Sequence, residues 1–246
     1  MSANNQNKQL ARFSDITRIQ ETKIDKSLIV YHDPSSPEAE NFKVLRTSIL
    51  KPRDKKDRRI ICVTSSVGGE GKTFVSTNLA ISISQSFDPY ALIIDADLRR
   101  SGCSKILGLS QKDGLSNYLE DPKDLHKYLI KAPVTKLTIL PAGPRPLNPA
   151  ELLTSSKMAE LLQEVKTRYP DRYVIVDSPP INFASETMSL VQESDAVILV
   201  VRYGYSNKSL VKDAVKKIGE DKVLGIVFNA VERVSKSYSL YMKQYY

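Results

Sequence analysis

Residues 60–73 read Ile60-Ile61-Cys62-Val63-Thr64-Ser65-Ser66-Val67-Gly68-Gly69-Glu70-Gly71-Lys72-Thr73. Ile60 to Thr64 reads as a buried strand, because a short apolar run without alternation suits a strand covered on both faces. A helix is expected from about Lys72 to Ser86. Between them Gly68, Gly69 and Gly71 let backbone N–H groups turn inward without Cβ clashes, and the helix N-terminus adds its positive end. In this frame Lys72 can reach the β- and γ-phosphates of a nucleotide, and the Thr73 hydroxyl can ligate Mg2+. The first glycine of the usual GxxxxGK[ST] pattern is Ser66 here, a mild departure. The bland alternative is an ordinary glycine turn, but Gly-Lys-Thr in register after a buried strand is the context in which this pattern binds phosphate.

Working outward, two further apolar runs end in acids. Leu92-Ile93-Ile94 runs into Asp95-Ala96-Asp97, and Val174-Ile175-Val176 runs into Asp177-Ser178-Pro179-Pro180. Each Asp alone is as readily a turn or N-cap residue as a ligand. Three carboxylates at strand ends beside one phosphate loop point to a Mg2+ site instead. Strands are expected at Ile60–Thr64, Ala91–Asp95, Leu137–Leu140, Tyr173–Asp177, Ala196–Val201 and Val223–Phe228, with helices at 37–50, at about 72–86 and at about 149–168. Alternating strand and helix predicts an α/β fold, a doubly wound, mainly parallel sheet of the P-loop NTPase type with helices on both faces. Ligands then sit beyond the carboxyl ends of the strands, where every motif above lies.

Composition agrees. The chain has 246 residues, 41% apolar and 26% charged, which suits a globular α/β domain with a sizeable core and excludes a collagen-like, disordered or disulfide-stapled chain. Cys62 and Cys103 are the only cysteines, so a CxxC redox motif and a cysteine-rich zinc site are excluded, and a reducing compartment is expected. Two histidines, His32 and His126, speak against a histidine-built metal site or a Ser-His-Asp triad. No run reaches the ~20 apolar residues of a membrane helix, and the N-terminus lacks the apolar core of a signal peptide, so a cytoplasmic location is expected. Residues 1–36 read as a polar arm, 37–232 as the nucleotide-binding domain and 233–246 as a tyrosine-rich tail.

Net charge is +8, concentrated in two stretches. KPRDKKDRR, residues 51–59, holds six basic and two acidic residues, and the last 14 residues hold Arg233, Lys236 and Lys243 with no acid. Such runs are usually solvated faces; the sharper reading is contact with an anionic membrane surface or an acidic partner. A nucleic-acid surface would spread over more of the chain, so no nucleic-acid partner is expected.

The phosphate loop, IIDADLRR (93–100) and VIVDSPP (174–180) together resemble the bacterial tyrosine kinases, P-loop proteins that govern exopolysaccharide synthesis and export. PAGPRPLNPAELL (141–153) is similar to a further segment of that family, and the likeness runs from about Pro37 to the C-terminus. The resemblance is strongest to freestanding cytosolic forms of the exosortase-associated type, which work beside a separate membrane-embedded polysaccharide co-polymerase, or chain-length protein, as activator. It implies that ATP is held by the Gly68–Thr73 backbone, Glu70 included, and by Lys72. Thr73, Asp97 and Asp177 would serve Mg2+. Asp95 would orient and deprotonate the attacking phenol, with Asp95 and Asp97 exchangeable in role. Asn229, after the last strand, is equally a turn residue and an adenine contact.

Tyr238, Tyr241, Tyr245 and Tyr246 crowd the last nine residues. At helical spacing they could simply cover apolar surface; the resemblance implies the cluster in which the family autophosphorylates. It also implies self-association in a ring through Glu40, Lys43 and Arg46, which share one helix face, although lysine at the middle position lacks arginine's planar fork. The enzyme expected is a protein-tyrosine kinase acting between subunits and on protein tyrosine substrates, recruited to the inner face of the membrane by its partner. The rival reading is a partitioning-type P-loop ATPase, a nucleotide-dependent switch; against it, the loop start Ser65-Ser66-Val67 lacks that group's second lysine.

Overall fold

A computed structural model describes residues 23–110, 113–122 and 124–231 of the chain. A four-residue helix, a 14-residue helix and a six-residue strand lead to the glycine loop: α1 (Ile29–His32), α2 (Pro37–Leu50) and β1 (Ile60–Ser65). Then follow α3 (Lys72–Ser84), β2 (Tyr90–Asp95), α4 (Cys103–Ile106) and α5 (Leu115–Glu120). After these come β3 (Ile130–Lys131), β4 (Leu137–Leu140), α6 (Pro149–Leu153), α7 (Ser156–Arg168) and β5 (Arg172–Asp177). The described chain closes with α8 (Glu186–Glu193), β6 (Ala196–Arg202), α9 (Lys208–Ile218) and β7 (Val223–Asn229).

The sheet order is β3-β4-β2-β5-β1-β6-β7, with β3 antiparallel and every other pairing parallel. The apolar runs are buried on both faces because alternate residues feed two separate cores. Ile60, Cys62, Leu92, Ile94, Val174 and Val176 pack with Leu161, Leu162 and Leu190 on one side. Ile61, Val63, Ile93, Ile175 and Ile198 pack with Phe42, Val75 and Leu79 on the other. Strands with no polar face can exist only under such double cover.

Three features depart from the sequence reading. A seventh strand exists, but β3 is two residues long, too short for periodicity to register. The helix expected over 149–168 is two helices, because the Thr154 and Ser155 hydroxyls bond back to Ala150 O (2.9 Å) and Leu152 O (2.6 Å) and Ser155 is extended. Strand β7 pairs with β6 alone and leaves Ile226 and Phe228 exposed, so it is not doubly covered like its neighbours.

The end of the expected polar arm is part of the domain. Leu28 and Val30 are fully buried, and the buried Asn78 side chain accepts from Val30 N and donates to Ser27 O. Among the described residues no helix is long and apolar enough to cross a membrane.

Candidate functional site

β1 is central and ends at the glycine loop, so sheet geometry delivers the loop to the carboxyl edge beside the ends of β5 and β2. Gly69 and Gly71 have φ of +82° and +94°, the region glycine tolerates best. Gly71 is further constrained: a Cβ there would stand 2.0 Å from Asn229 Nδ2. α3 starts at Lys72 immediately after it, so its unbonded N–H groups face the loop.

Gly68, Gly69, Gly71, Lys72, Thr73 and Asp97 line one cavity of about 550 Å3. Glu70 does not line it. Its fully buried carboxylate accepts from Ser66 Oγ (3.0 Å), Val67 N (2.8 Å) and the Ser206 hydroxyl, holding the loop's shape from behind. This accounts for serine where the pattern has glycine: Ser66 supplies a donor to the loop's internal brace. Asn229 donates to Glu70 O at 2.9 Å, so it too is bound to the loop and absent from the cavity wall.

Asp95 and Asp177 are register partners on the adjacent strands β2 and β5. Asp177 is fully buried and accepts from Thr73 Oγ1 (2.7 Å), Ser76 Oγ (2.9 Å) and Cys103 Sγ (3.4 Å). Asp95 Oδ2 accepts from the Gly102 and Cys103 amides, whereas Asp95 Oδ1, also buried, has no hydrogen-bond partner among the described residues. Burial first, then the charge of Asp177, pushes the Asp95 carboxyl up to about 8, against the pull of the two amides. Burial likewise raises Asp177, opposed by the Thr73 hydroxyl and the Lys72 charge. The Cys103 thiol completes a group in which one atom each of Asp95, Cys103 and Asp177 lies within 4.8 Å of the others. Two like charges this close and this dry favour a proton or a cation between them. A hard cation fits the donors, which are carboxylates and the Thr73 hydroxyl, with an orphaned carboxylate oxygen ready to accept it.

Several cavity residues carried no role in the sequence reading. Arg99, Arg100, Pro179, Pro180, Phe183 and Ala184 complete its wall. Arg99 Nε donates to Glu186 Oε1 at 2.8 Å, a carboxylate fully buried at the start of α8, so the β2 and β5 loops are pinned together. Arg100 Nη1 lies 3.7 Å from where a Cβ on Gly68 would stand. From the last residue of β6, Arg202 Nη1 donates to Gly69 O at 3.3 Å. The arginines stood in the quoted IIDADLRR motif; Phe183 and Arg202 had no local signal.

On α2, Lys43 pairs with Glu40 at 2.7 Å, and Arg46 Nη1 donates to Ser82 O of α3 at 2.8 Å. Both cations of the proposed oligomer face are thus engaged within the chain. Tyr238, Tyr241, Tyr245 and Tyr246 lie outside the described residues.

Residues 58–222 match the AAA domain family. Over 217 residues the chain is 32% identical to a putative tyrosine-protein kinase, CapB of Staphylococcus aureus, covering 87% of this chain and 93% of that protein. It is 32% identical over 210 residues to the tyrosine-protein kinase Etk of Escherichia coli, 84% of this chain but only 28% of that much longer protein. The solved Etk kinase domain superposes with a TM-score of 0.80 at 28% identity, over 89% of this chain and 85% of that one. A chimerical protein, CapA2B2, superposes at 0.78 with 29% identity, over 94% and 100%.

Proposed function

The chain belongs to the AAA-domain family and to the bacterial tyrosine-protein kinases within it, and from that premise we propose that it transfers the γ-phosphoryl group of ATP to tyrosine hydroxyls, its own included. The observation that carries this reading is one cavity walled by Lys72, Thr73 and Asp97, with Asp95 and Asp177 paired at the adjacent strand ends. Phosphoryl transfer asks mainly for positioning and charge neutralisation, and this site supplies both without histidine.

The Gly68–Thr73 amides and the Lys72 ammonium hold the phosphates. Thr73, Asp97 and Asp177 would hold Mg2+, which would supply charge neutralisation to the phosphates. A carboxylate then takes the phenol proton as the oxygen attacks phosphorus, useful because tyrosine's pKa is near 10. Asp95 is the first candidate; Asp97, with its side chain on the cavity wall, supports the exchanged assignment in which Asp95 and Asp177 serve the cation. Glu70 and Asn229 act as braces of the loop. Arg100 is placed to meet a phosphate at Gly68.

The acceptors within the chain are Tyr238, Tyr241, Tyr245 and Tyr246, presented to a neighbouring subunit of a ring. Phosphates on the cluster add roughly −1.5 to −2 charges each and favour release of the ring. Exopolysaccharide synthesis and a membrane co-polymerase as activator extend the reading to the cell.

To test it, protein is incubated with ATP and Mg2+ and phosphate is mapped by mass spectrometry. Wild type is expected to carry phosphotyrosine in 238–246, and Lys72→Met none. Lys72→Met chains with an intact tail, mixed with active chains lacking 238–246, are expected to become phosphorylated. Nucleotide turnover with every tyrosine unmodified, the activator's cytosolic segment present, would leave the molecular-switch reading in its place.

A further inference from the structure

The carboxyl edge of the sheet holds the nucleotide site; the opposite edge carries the basic run 51–59, which the site does not use. This run enters β1, and the turn Ser86–Pro89 enters β2, on the other side of β5. The two segments, with the C-terminal half of α2, wall a groove of about 610 Å3 that includes Arg46, Lys51, Arg59, Phe87 and Tyr173. Arg46 and Lys51 also line a second groove of about 800 Å3 along α2, with Lys43, Arg53 and Arg58.

Two of the six cations in the run are paired within it, Arg58 with Asp54 and Arg59 with Asp57. Lys51, Arg53, Lys55 and Lys56 are exposed and form no ion pair among the described residues. Asp88 and Asp171 are the acids of the first groove and leave the surface net positive. Phe87 is 100% exposed at the tip of its turn. Lys136 Nζ donates to Phe87 O at 3.0 Å and to Ser86 O, so the turn is held with its ring outward.

We infer that this amino edge is a docking surface for an anionic lipid bilayer: Lys51, Arg53, Lys55 and Lys56 lie against headgroup phosphates, and the Phe87 ring enters the headgroup–acyl boundary. Charge complementarity would suit any polyanion, but the fully exposed phenylalanine decides for the bilayer. Aromatic rings beside basic side chains gain by burial at that boundary, whereas an acidic polypeptide would be read by the charges alone. The inference stands apart from the kinase reading. Docked by this edge, the protein turns its nucleotide cavity away from the membrane.

The test is sedimentation of the full chain with vesicles of phosphatidylcholine alone or with phosphatidylglycerol added, over a salt series. Pelleting is expected with the anionic vesicles only, weakening as salt rises. Replacing Lys51, Arg53, Lys55 and Lys56 together by Ser is expected to abolish it, each cation being worth about fivefold. Phe87→Ser is expected to weaken binding about tenfold or more with the salt dependence unchanged. Circular dichroism melting confirms that the variants are folded; should the quadruple variant not fold, Phe87→Ser and the salt series decide. Equal pelleting with neutral vesicles, variants that bind like wild type, or capture by polyglutamate beads without vesicle binding would each overturn the inference.

Discussion

Thr73 Oγ1 donates a 2.7 Å hydrogen bond to Asp177 Oδ2, joining the first turn of α3 to the end of β5. Ser76, one turn further along the same helix, donates to the other oxygen at 2.9 Å. One buried carboxylate is therefore held by two hydroxyls of the helix that carries the phosphate lysine, and the two have different tasks.

Ser76→Ala removes a donor from a buried carboxylate and touches nothing in the cavity. It is expected to lower stability by about 1–3 kcal/mol at neutral pH, measured by urea denaturation, with phosphoryl transfer changed only a few-fold. Thr73→Ala removes the other donor and, on the proposed reading, a cation ligand. It is expected to match that stability loss and in addition lower transfer by roughly a hundredfold or more. Equal activity losses in the two variants would refute the division of labour.

Gly71→Ala meets two obstacles, the positive φ and the Asn229 amide. A non-glycine residue in the left-handed region costs about 1–2 kcal/mol, and the clash adds to it. In an Asn229→Ala background the clash disappears while the backbone strain stays. The double variant is expected to be more stable than the sum of the single changes predicts, by about 1 kcal/mol or more. Strict additivity in thermal melts would show that Asn229 moves aside at no cost.

Metal-free protein is expected to lose stability as pH rises. Folded Asp95 holds its proton up to about 8, while the unfolded chain releases it near 3.8. Between those values the folded state binds more protons than the unfolded one, so the free energy of unfolding falls with pH across that window. Thermal melts of the nucleotide-free protein in chelator should drop through the window, and Asp95→Asn should flatten the slope. Parallel curves for the two proteins would assign the pH dependence to another group.

Neither cysteine should react in the native state. Both are fully buried; burial pushes the Cys62 thiol up to about 12 and raises Cys103, which also faces the charges of Asp95 and Asp177. Modification by a thiol reagent should track unfolding for both positions. Native-rate labelling of Cys103 alone would mean that the loop after β2 opens.

Much of the architecture was readable because its signals are local. Ile60–Thr64, Leu137–Leu140 and Tyr173–Asp177 are saturated with apolar residues, and a strand so composed needs cover on both faces, which it has. Gly-Lys-Thr after such a strand placed the cavity. The break at Thr154–Ser155 escaped because it turns on which carbonyls two hydroxyls choose, and periodicity does not record that choice. The strand at Val223–Phe228 was expected and is present, but its edge position escaped, because an edge is a property of the whole sheet and not of Val223–Asn229.

The sequence by itself determined the alternation of strands and helices, the glycine loop and the acids at the strand ends, since each depends on neighbours within a turn or two of chain. Tertiary structure alone decided that Asp95 lies in register with Asp177, that Glu70 turns inward to Ser66 and Ser206, that Asn229 braces the loop, and that Arg99 is tied to Glu186. Apart from Glu70–Ser66, a contact within one loop, these pairings join residues brought together only when β5 takes its place between β1 and β2 and β6 and β7 follow on the other side of β1. Strand order sets them, and no local spacing encodes strand order.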